Sequence, residues 1–158
     1  MVELKVPQLP PEMAYETVEK TLGTMCAMIL QTLVDEFGSE RAQKMIYPRL
    51  KEMGKQMAAM APQIGITGKD AIAIASMAHL TDQMLKVEGE LTEVSSDRVV
   101  KKCTKCPLQS LPVDFCMSFQ PIADGMVEAI NPEYKFTLTK IIPKGDPFCE
   151  WIVQKKQI

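Results

Sequence analysis

The chain has 158 residues, of which 46% are hydrophobic and 24% charged, and its formal net charge at neutral pH is −2. This composition is typical of a globular protein with one core, so we expect a single domain over residues 1–158. The lysines and arginines are scattered rather than clustered, which excludes the basic face of a nucleic-acid-binding protein.

No apolar run in the sequence approaches the roughly 20 residues that a helix needs to cross a bilayer. The N-terminal stretch MVELKVPQLPPEM also lacks the apolar centre of a signal peptide. We therefore expect a cytoplasmic protein without a membrane partner. In such a compartment, a CxxC motif indicates metal binding or redox chemistry before a disulfide framework.

Two amphipathic helices begin the mainly helical half of the chain, residues 1–88. An extended, proline-containing segment, residues 1–10, precedes a first helix that Gly38 stops. Ser39 can cap the second helix. Pro48 lies inside it and should kink the helix or mark its true first turn.

A third helix follows a quartet, Thr67 to Asp70, that has the form of a capping box. The chain's twelve methionines are dispersed over helical apolar positions. A flexible thioether fills irregular gaps in a core, so these residues indicate core packing or, alternatively, an adaptable pocket for a small apolar ligand.

In the second half, residues 89–158, the spacing of hydrophobic residues changes from that of a helix to the alternation of a strand. This half also contains four of the five cysteines. GELTEV and RVVKKC are short alternating runs that predict a β-hairpin, and YKFTLTKI and CEWIVQK predict two further strands. Between these pairs, Asp114 can cap a fourth helix that ends at Pro132. The sequence thus predicts an α+β fold: N-terminal helices packed on an antiparallel sheet of about four strands, with one inserted helix.

Four cysteines fall at the ends of these predicted elements. Cys103 ends a strand, Cys106 lies in the following loop, Cys116 begins a helix, and Cys149 opens the last strand. If the hairpin pairs with the last two strands, Cys103 or Cys106 should lie close to Cys149. Cys26, on the first helix, is expected to be a buried core thiol.

Three roles remain open for the C-terminal cysteines. Tetrahedral zinc takes four thiolate or imidazole ligands, and a CxxC turn presents two of them. Cys116 is the best candidate nucleophile, because the amides and dipole of a helix N-terminus lower the pKa of a thiol. The third possibility is a set of inert, buried thiols.

Groups that could assist chemistry are few. His79, the only histidine, falls in the middle of a predicted helix, where a satisfied imidazole is the expected state. Carboxylates near the cysteines in sequence could act as general acids or bases, although most at such positions are caps, turn formers or solvated charges. These are Asp114, Asp124, Glu128, Asp146 and Glu150.

Two segments carry a family resemblance: GELTEVSSDRVVKKCTKCP and FCMSFQPIADGMVEAINPEYKFTLTKIIPKGDPFCEW. In order, they give a hairpin, Cys-Pro, a Cys-led helix, Asn-Pro, a strand, and Gly-Asp-x-x-Cys before an aromatic residue. This order resembles the L-2-amino-thiazoline-4-carboxylic acid hydrolase family and, more distantly, 4-vinyl reductase domains. The resemblance covers about residues 85–155.

The resemblance implies an α+β ligand-binding domain, related to nitric-oxide-sensing and TRAPP-type transport proteins and often dimeric through its helices. We therefore expect a homodimer. The activity that the resemblance implies is hydrolytic opening of a thiazoline ring, although many relatives resemble ligand-binding or regulatory modules.

Carried over residue by residue, the family's Cys-Pro matches Cys106, the helix-leading cysteine matches Cys116, and the Gly-Asp-x-x-Cys turn matches Asp146 and Cys149. The resemblance thus implies catalytic roles for Cys116 and Asp146. It also implies a ligand pocket that Cys116 and Cys149 line, and we add two aromatic neighbours, Phe119 and Trp151, to it.

Two classes of function follow. The first is a protein that binds a small-molecule ligand and, if it is an enzyme, hydrolyses a cyclic C–N or C–S bond. The alternative is a non-enzymatic ligand sensor or interaction module with a zinc or iron–sulfur centre. In relatives of the 4-vinyl reductase type, C-terminal cysteines bind zinc beside a hydrophobic pocket. This implies Cys106, Cys116 and Cys149 as metal ligands, with Cys103 as a fourth.

Overall fold

A computed structural model describes residues 9–157 and shows helices packed on a four-stranded antiparallel sheet. The predicted α+β class is therefore confirmed. The predicted extended start lies mostly in residues 1–8, outside the described residues. The elements in chain order are α1 Pro11–Phe37, α2 Ser39–Ala59, α3 Ala71–Met84, β1 Glu88–Val94, β2 Arg98–Lys105, α4 Val113–Met117, α5 Phe119–Ile130, β3 Tyr134–Lys140 and β4 Cys149–Lys155.

The sheet has the strand order β1-β2-β4-β3, and each neighbouring pair is antiparallel. β2 and β4 pair in a register that places Lys101 opposite Trp151 and Cys103 opposite Cys149. The predicted hairpin and the predicted proximity of Cys103 to Cys149 are both confirmed. Because side chains alternate between the two faces of a strand, Lys101 and Cys103 project from the same face of β2.

The main core lies between this face and two helices. Ile74 and Met77 of α3 and Met126 of α5 pack with Trp151 and Val153 of β4. Asp70 is the N-cap of α3, and its carboxylate accepts a hydrogen bond from the Ala73 amide at 3.0 Å. The predicted capping box is therefore wrong in detail, since Asp70 rather than Thr67 is the N-cap.

The predicted fourth helix is two helices that meet at Ser118. Pro121 explains the break, because its nitrogen cannot donate to the Met117 carbonyl and its ring crowds that turn. Asp114 is not the N-cap either, since Pro112 occupies that position. The Asp114 carboxylate accepts instead from the Ser39 hydroxyl, so Ser39 does not cap α2.

α2 and α5 cross with their backbones in contact. A Cβ atom added to Gly54 would lie 1.9 Å from the Ile122 carbonyl oxygen, and one added to Gly125 would lie 1.9 Å from the Lys51 carbonyl oxygen. The two glycines therefore permit an approach that any side chain would prevent. α2 runs continuously through Pro48, which does not mark its first turn.

α1 has two apolar sides. Ala27 and Leu30 pack against Leu108 and Phe115, while the opposite side is exposed. The exposed residues, here named the α1 stripe, are Val18, Leu22, Met25 and Ile29, each more than half exposed.

Cys26 is exposed, so the prediction of a buried thiol is wrong. The buried side of α1 is centred on Ala27 and Leu30, and one residue of helix turns Cys26 by about 100° away from Ala27. Within residues 9–157, no helix combines the length and the apolarity that crossing a bilayer requires.

Candidate functional site

A cavity of ≈ 140 Å³ lies between α3, α5 and the inner face of the sheet. Most of its wall is apolar. The apolar residues include Leu85, Val87, Leu108, Ile122, Met126, Phe136, Leu138 and Ile141. Among the lining residues that the structure describes, Asp82 of α3 carries the only ionisable group other than the cysteine thiols.

All four C-terminal cysteines line this cavity. Cys103 is buried, whereas Cys106, Cys116 and Cys149 are half-buried. The Cys149 sulfur also accepts a hydrogen bond from the Ile142 amide at 3.2 Å. The cavity therefore brings together thiols from two strands, a loop and α4, although their roles remain predictions.

The thiols are in surroundings that favour the protonated form. Burial raises the pKa of Cys103 to about 12 and that of Cys116 to about 11, and burial also raises the pKa of Cys106 and Cys149. Cys116 is the fourth of five residues in α4 rather than the start of a helix. The expectation that a helix N-terminus lowers its pKa is therefore wrong, because desolvation dominates.

The metal prediction gains no geometric support. Among residues 9–157, no three histidine, cysteine, aspartate or glutamate side chains converge closely enough to hold one ion. The four thiols surround a cavity instead of meeting at a point, so as placed they do not fit a tetrahedral zinc or an iron–sulfur cluster. Ligation by Cys103, Cys106, Cys116 and Cys149 stays a prediction.

The two predicted aromatic ligand residues, Phe119 and Trp151, both line the cavity. Trp151 packs against Phe136 with ring centroids 5.7 Å apart, and Phe119 meets Phe115 edge-on at 5.6 Å. These contacts hold each ring in a fixed orientation, which is what a shaped pocket requires.

Asp146 is not a lining residue. Its Oδ2 atom accepts from the Ile141 amide at 2.7 Å, within the turn before β4. The other carboxylates named from the sequence also make structural contacts outside the cavity. Asp124 accepts from the Tyr47 hydroxyl, Glu128 pairs with Lys51 and Lys55, and Glu150 accepts from Thr139.

One polar cluster at the cavity was missed by the sequence reasoning. Lys101 of β2 is 1% exposed, and its ammonium donates to Asp82 Oδ2 at 2.7 Å and lies 3.1 Å from His79 Nδ1. The Trp151 indole N–H donates to the same Asp82 oxygen at 3.0 Å. The expectation of a satisfied imidazole at His79 is confirmed.

Two local patterns in the sequence point to members of this cluster separately, although not to their contact. Lys101 lies between Val99 and Cys103 at the inward positions of an alternating strand, where a lysine needs a buried partner. His79 and Asp82 are three residues apart and therefore share a face of α3.

Two solved structures with this fold each contain a named bound molecule. A trafficking protein particle complex subunit 3 from Naegleria fowleri, covalently bound to palmitic acid, matches with a TM-score of 0.65 and 16% identity, over 92% of this chain and 97% of that one. The phenol-responsive sensory domain of the transcription activator PoxR with phenol matches with a TM-score of 0.64 and 14% identity, over 84% and 74%. No curated protein matches the chain.

The chain thus shares its α+β fold with those two structures. By sequence, the chain belongs to the L-2-amino-thiazoline-4-carboxylic acid hydrolase family, whose sequence model matches residues 15–153. The family resemblance read from the sequence is confirmed, and the match extends through the helical half.

Proposed function

We propose that this protein binds a small molecule, about the size of one ring, in the cavity between α3, α5 and the sheet. The observation that carries the proposal is an apolar cavity of ≈ 140 Å³ to whose wall residues 9–157 contribute a single charged side chain, Asp82. An engineered apolar cavity of about 150 Å³ binds benzene, so the volume suits one ring.

The comparisons support the proposal without identifying the ligand. The PoxR domain holds phenol and the trafficking subunit holds palmitic acid, so two proteins of this fold contain apolar or aromatic molecules. For this chain, the ring-sized volume and the rings of Phe136 and Trp151 favour an aromatic or cyclic compound over a long acyl chain.

The finer proposal, which follows from the family, is hydrolysis of a cyclic C–N or C–S bond in that ligand. In such a reaction, the oxygen of water bonds to the ring carbon, the ring bond breaks, and the leaving nitrogen or sulfur takes a proton. With a pKa of about 11, Cys116 would be a thiolate in only about one molecule in ten thousand at pH 7. A bound substrate would therefore have to activate Cys116, or a water would have to attack directly.

The neutral thiols favour a second candidate, a non-enzymatic ligand sensor. In this case the cysteines form a polarisable wall around the ligand and undergo no reaction. Incubation with L-2-amino-thiazoline-4-carboxylic acid separates the candidates, because only the hydrolase yields a ring-opened product detectable by mass spectrometry. Elemental analysis of protein purified without a histidine tag tests the zinc or iron–sulfur alternative in the same preparation.

Binding itself is best tested through Trp151, the only tryptophan in the chain, which lines the cavity. Titration with toluene, an uncharged ring, should change its fluorescence in a saturable way. Ala78→Leu fills part of the cavity and should abolish this change, whereas Ala59→Leu, on the exposed end of α2, should not. An unchanged response in Ala78→Leu would place the ligand elsewhere.

A further inference from the structure

The cavity has one polar end, where Asp82 lines it. Asp82 Oδ2 accepts two hydrogen bonds, from the Lys101 ammonium and from the Trp151 indole. Its other oxygen, Oδ1, has no hydrogen-bond partner among residues 9–157, the part of the chain that the structure describes. An acceptor with free lone pairs is therefore present in a wall whose other described residues are mainly apolar or thiol-bearing. Thr81 also lines the cavity, but its hydroxyl donates to the Met77 carbonyl at 3.2 Å.

Lys101 fixes this acceptor in place. The lysine side chain is 1% exposed and that of Asp82 is 17% exposed, so the pair is largely out of contact with water. Separating a buried ion pair is unfavourable because it leaves an uncompensated charge. This cost keeps the Asp82 carboxylate beside the Lys101 ammonium. Trp151 holds the same oxygen from the sheet, so Asp82 cannot rotate without losing two donors.

His79 completes the cluster on the far side of the lysine. Its Nδ1 atom lies 3.1 Å from the Lys101 ammonium, which can only donate, so this ring nitrogen is placed to accept. Within the cluster, the ammonium of Lys101 is paired with the carboxylate of Asp82. The cavity is exposed to the carboxylate, since Asp82 is a lining residue and Lys101 is not.

We propose that Asp82 is the specificity-determining residue of the cavity, positioned by Lys101 and Trp151, and that it selects ligands with an N–H or O–H donor at one end of an apolar ring. This inference rests on the proposed ligand binding. The free carboxylate oxygen accepts a charge-assisted hydrogen bond, which is stronger in apolar surroundings than in water. The same charge repels a ligand that directs a carboxylate to that end.

Phenol and toluene test the inference as a matched pair, because they have nearly the same shape and only phenol has a donor. The wild-type protein should bind phenol about tenfold more tightly than toluene, as a hydrogen bond to a charged group would give. The single indole N–H signal of Trp151 in a nitrogen-15 NMR spectrum should shift with phenol, since phenol bonds to the indole's own partner.

The decisive variant replaces both charges, Asp82→Leu with Lys101→Met, because removing a buried pair as a unit avoids leaving one charge alone. Toluene should still bind within about threefold of wild type, which shows an intact cavity, and the preference for phenol should disappear. The matched control replaces an exposed pair on α2, Glu40→Leu with Lys44→Met, and should keep the tenfold preference.

If the double variant does not fold, Asp82→Asn provides the second test. It retains the shape of the side chain but offers a weaker, neutral acceptor, so the preference for phenol should fall at least about threefold. A preference that survives in the folded variants, or equal binding of both probes by wild type, overturns the role of Asp82 and leaves ligand binding standing. Failure of both probes to bind wild type overturns the proposed function itself.

Discussion

Cys103 and Cys149 lie directly opposite each other in the paired strands β2 and β4, and both face the same apolar cavity. Burial is the main reason for the raised pKa of Cys103; the negative charge of Asp82 adds to it, and the positive charge of Lys101 opposes it in part. The carboxylate at the polar end of the cavity therefore helps to keep the neighbouring thiols protonated. The cavity contains neutral thiols around one fixed anion, which suits binding better than thiolate chemistry.

Alkylation rates should follow exposure and thiol ionisation. At pH 7.5 we expect iodoacetamide to modify the exposed Cys26 first and the four cavity cysteines far more slowly. Peptide mass mapping over a time course measures the order. Labelling of Cys116 before Cys26 would show that Cys116 is an activated nucleophile after all.

Stability should fall at alkaline pH because of Cys103. Its pKa is raised from 9.0 to about 12 in the folded protein, so the folded state favours the protonated thiol. The resulting stabilisation is complete below pH 9 and is lost as the pH rises through 9 toward 12. Urea unfolding from pH 8 upward should show a smaller alkaline loss for Cys103→Ala than for wild type.

The exposed Cys26 provides the control for that experiment, since Cys26→Ala removes a thiol without emptying the core. Its free energy of unfolding should follow the wild-type curve. If Cys103→Ala and Cys26→Ala lose stability equally above pH 9, burial of Cys103 does not cause the alkaline loss.

The contact between α2 and α5 should be intolerant of any side chain at Gly54. Gly54→Ala places a methyl group against the Ile122 carbonyl, so the helices must separate, and we expect a loss of about 2–4 kcal/mol in the free energy of unfolding. Gly23→Ala on α1 is the matched control. Its new methyl would meet only flexible leucine side chains, Leu108 at 3.0 Å and Leu111 at 3.7 Å, and stability should change by less than about 1 kcal/mol. Equal losses in thermal or urea unfolding would refute the close contact.

The α1 stripe should form the interface of a homodimer. Val18, Leu22, Met25 and Ile29 repeat at spacings of four, three and four residues, which is the pattern of a coiled-coil seam. Light scattering at micromolar concentration should give twice the 17.6 kDa mass of one chain. Leu22→Glu should yield monomers, whereas Thr24→Glu, exposed on another side of α1, should not. A wild-type monomer would count against this assembly.

The sequence predicted those parts of the fold that local signals determine. Gly38 ends α1, and the period of two in β2 and β4 was enough to bring Cys103 next to Cys149. The sequence alone did not determine which side of α1 faces the core, because that helix is apolar on two sides. Cys26 was therefore assigned to the wrong one.

The sequence predicted the cysteines and the aromatic residues of the candidate site, but it did not predict the charged residues. Asp82 and Lys101 meet only because α3 packs across β2, and no local pattern contains that contact. An inward lysine on a strand indicates that a partner exists, but the partner becomes known only from the packing.

Ligand binding in the cavity is the central claim, and a crystal structure with bromobenzene tests it most directly. The bromine gives an anomalous signal that locates the ring without prior assumptions. We expect one strong bromine peak inside the cavity, in contact with lining residues such as Phe136 and Trp151. Crystals that contain the probe only at the protein surface, with the cavity empty or collapsed, would contradict the claim.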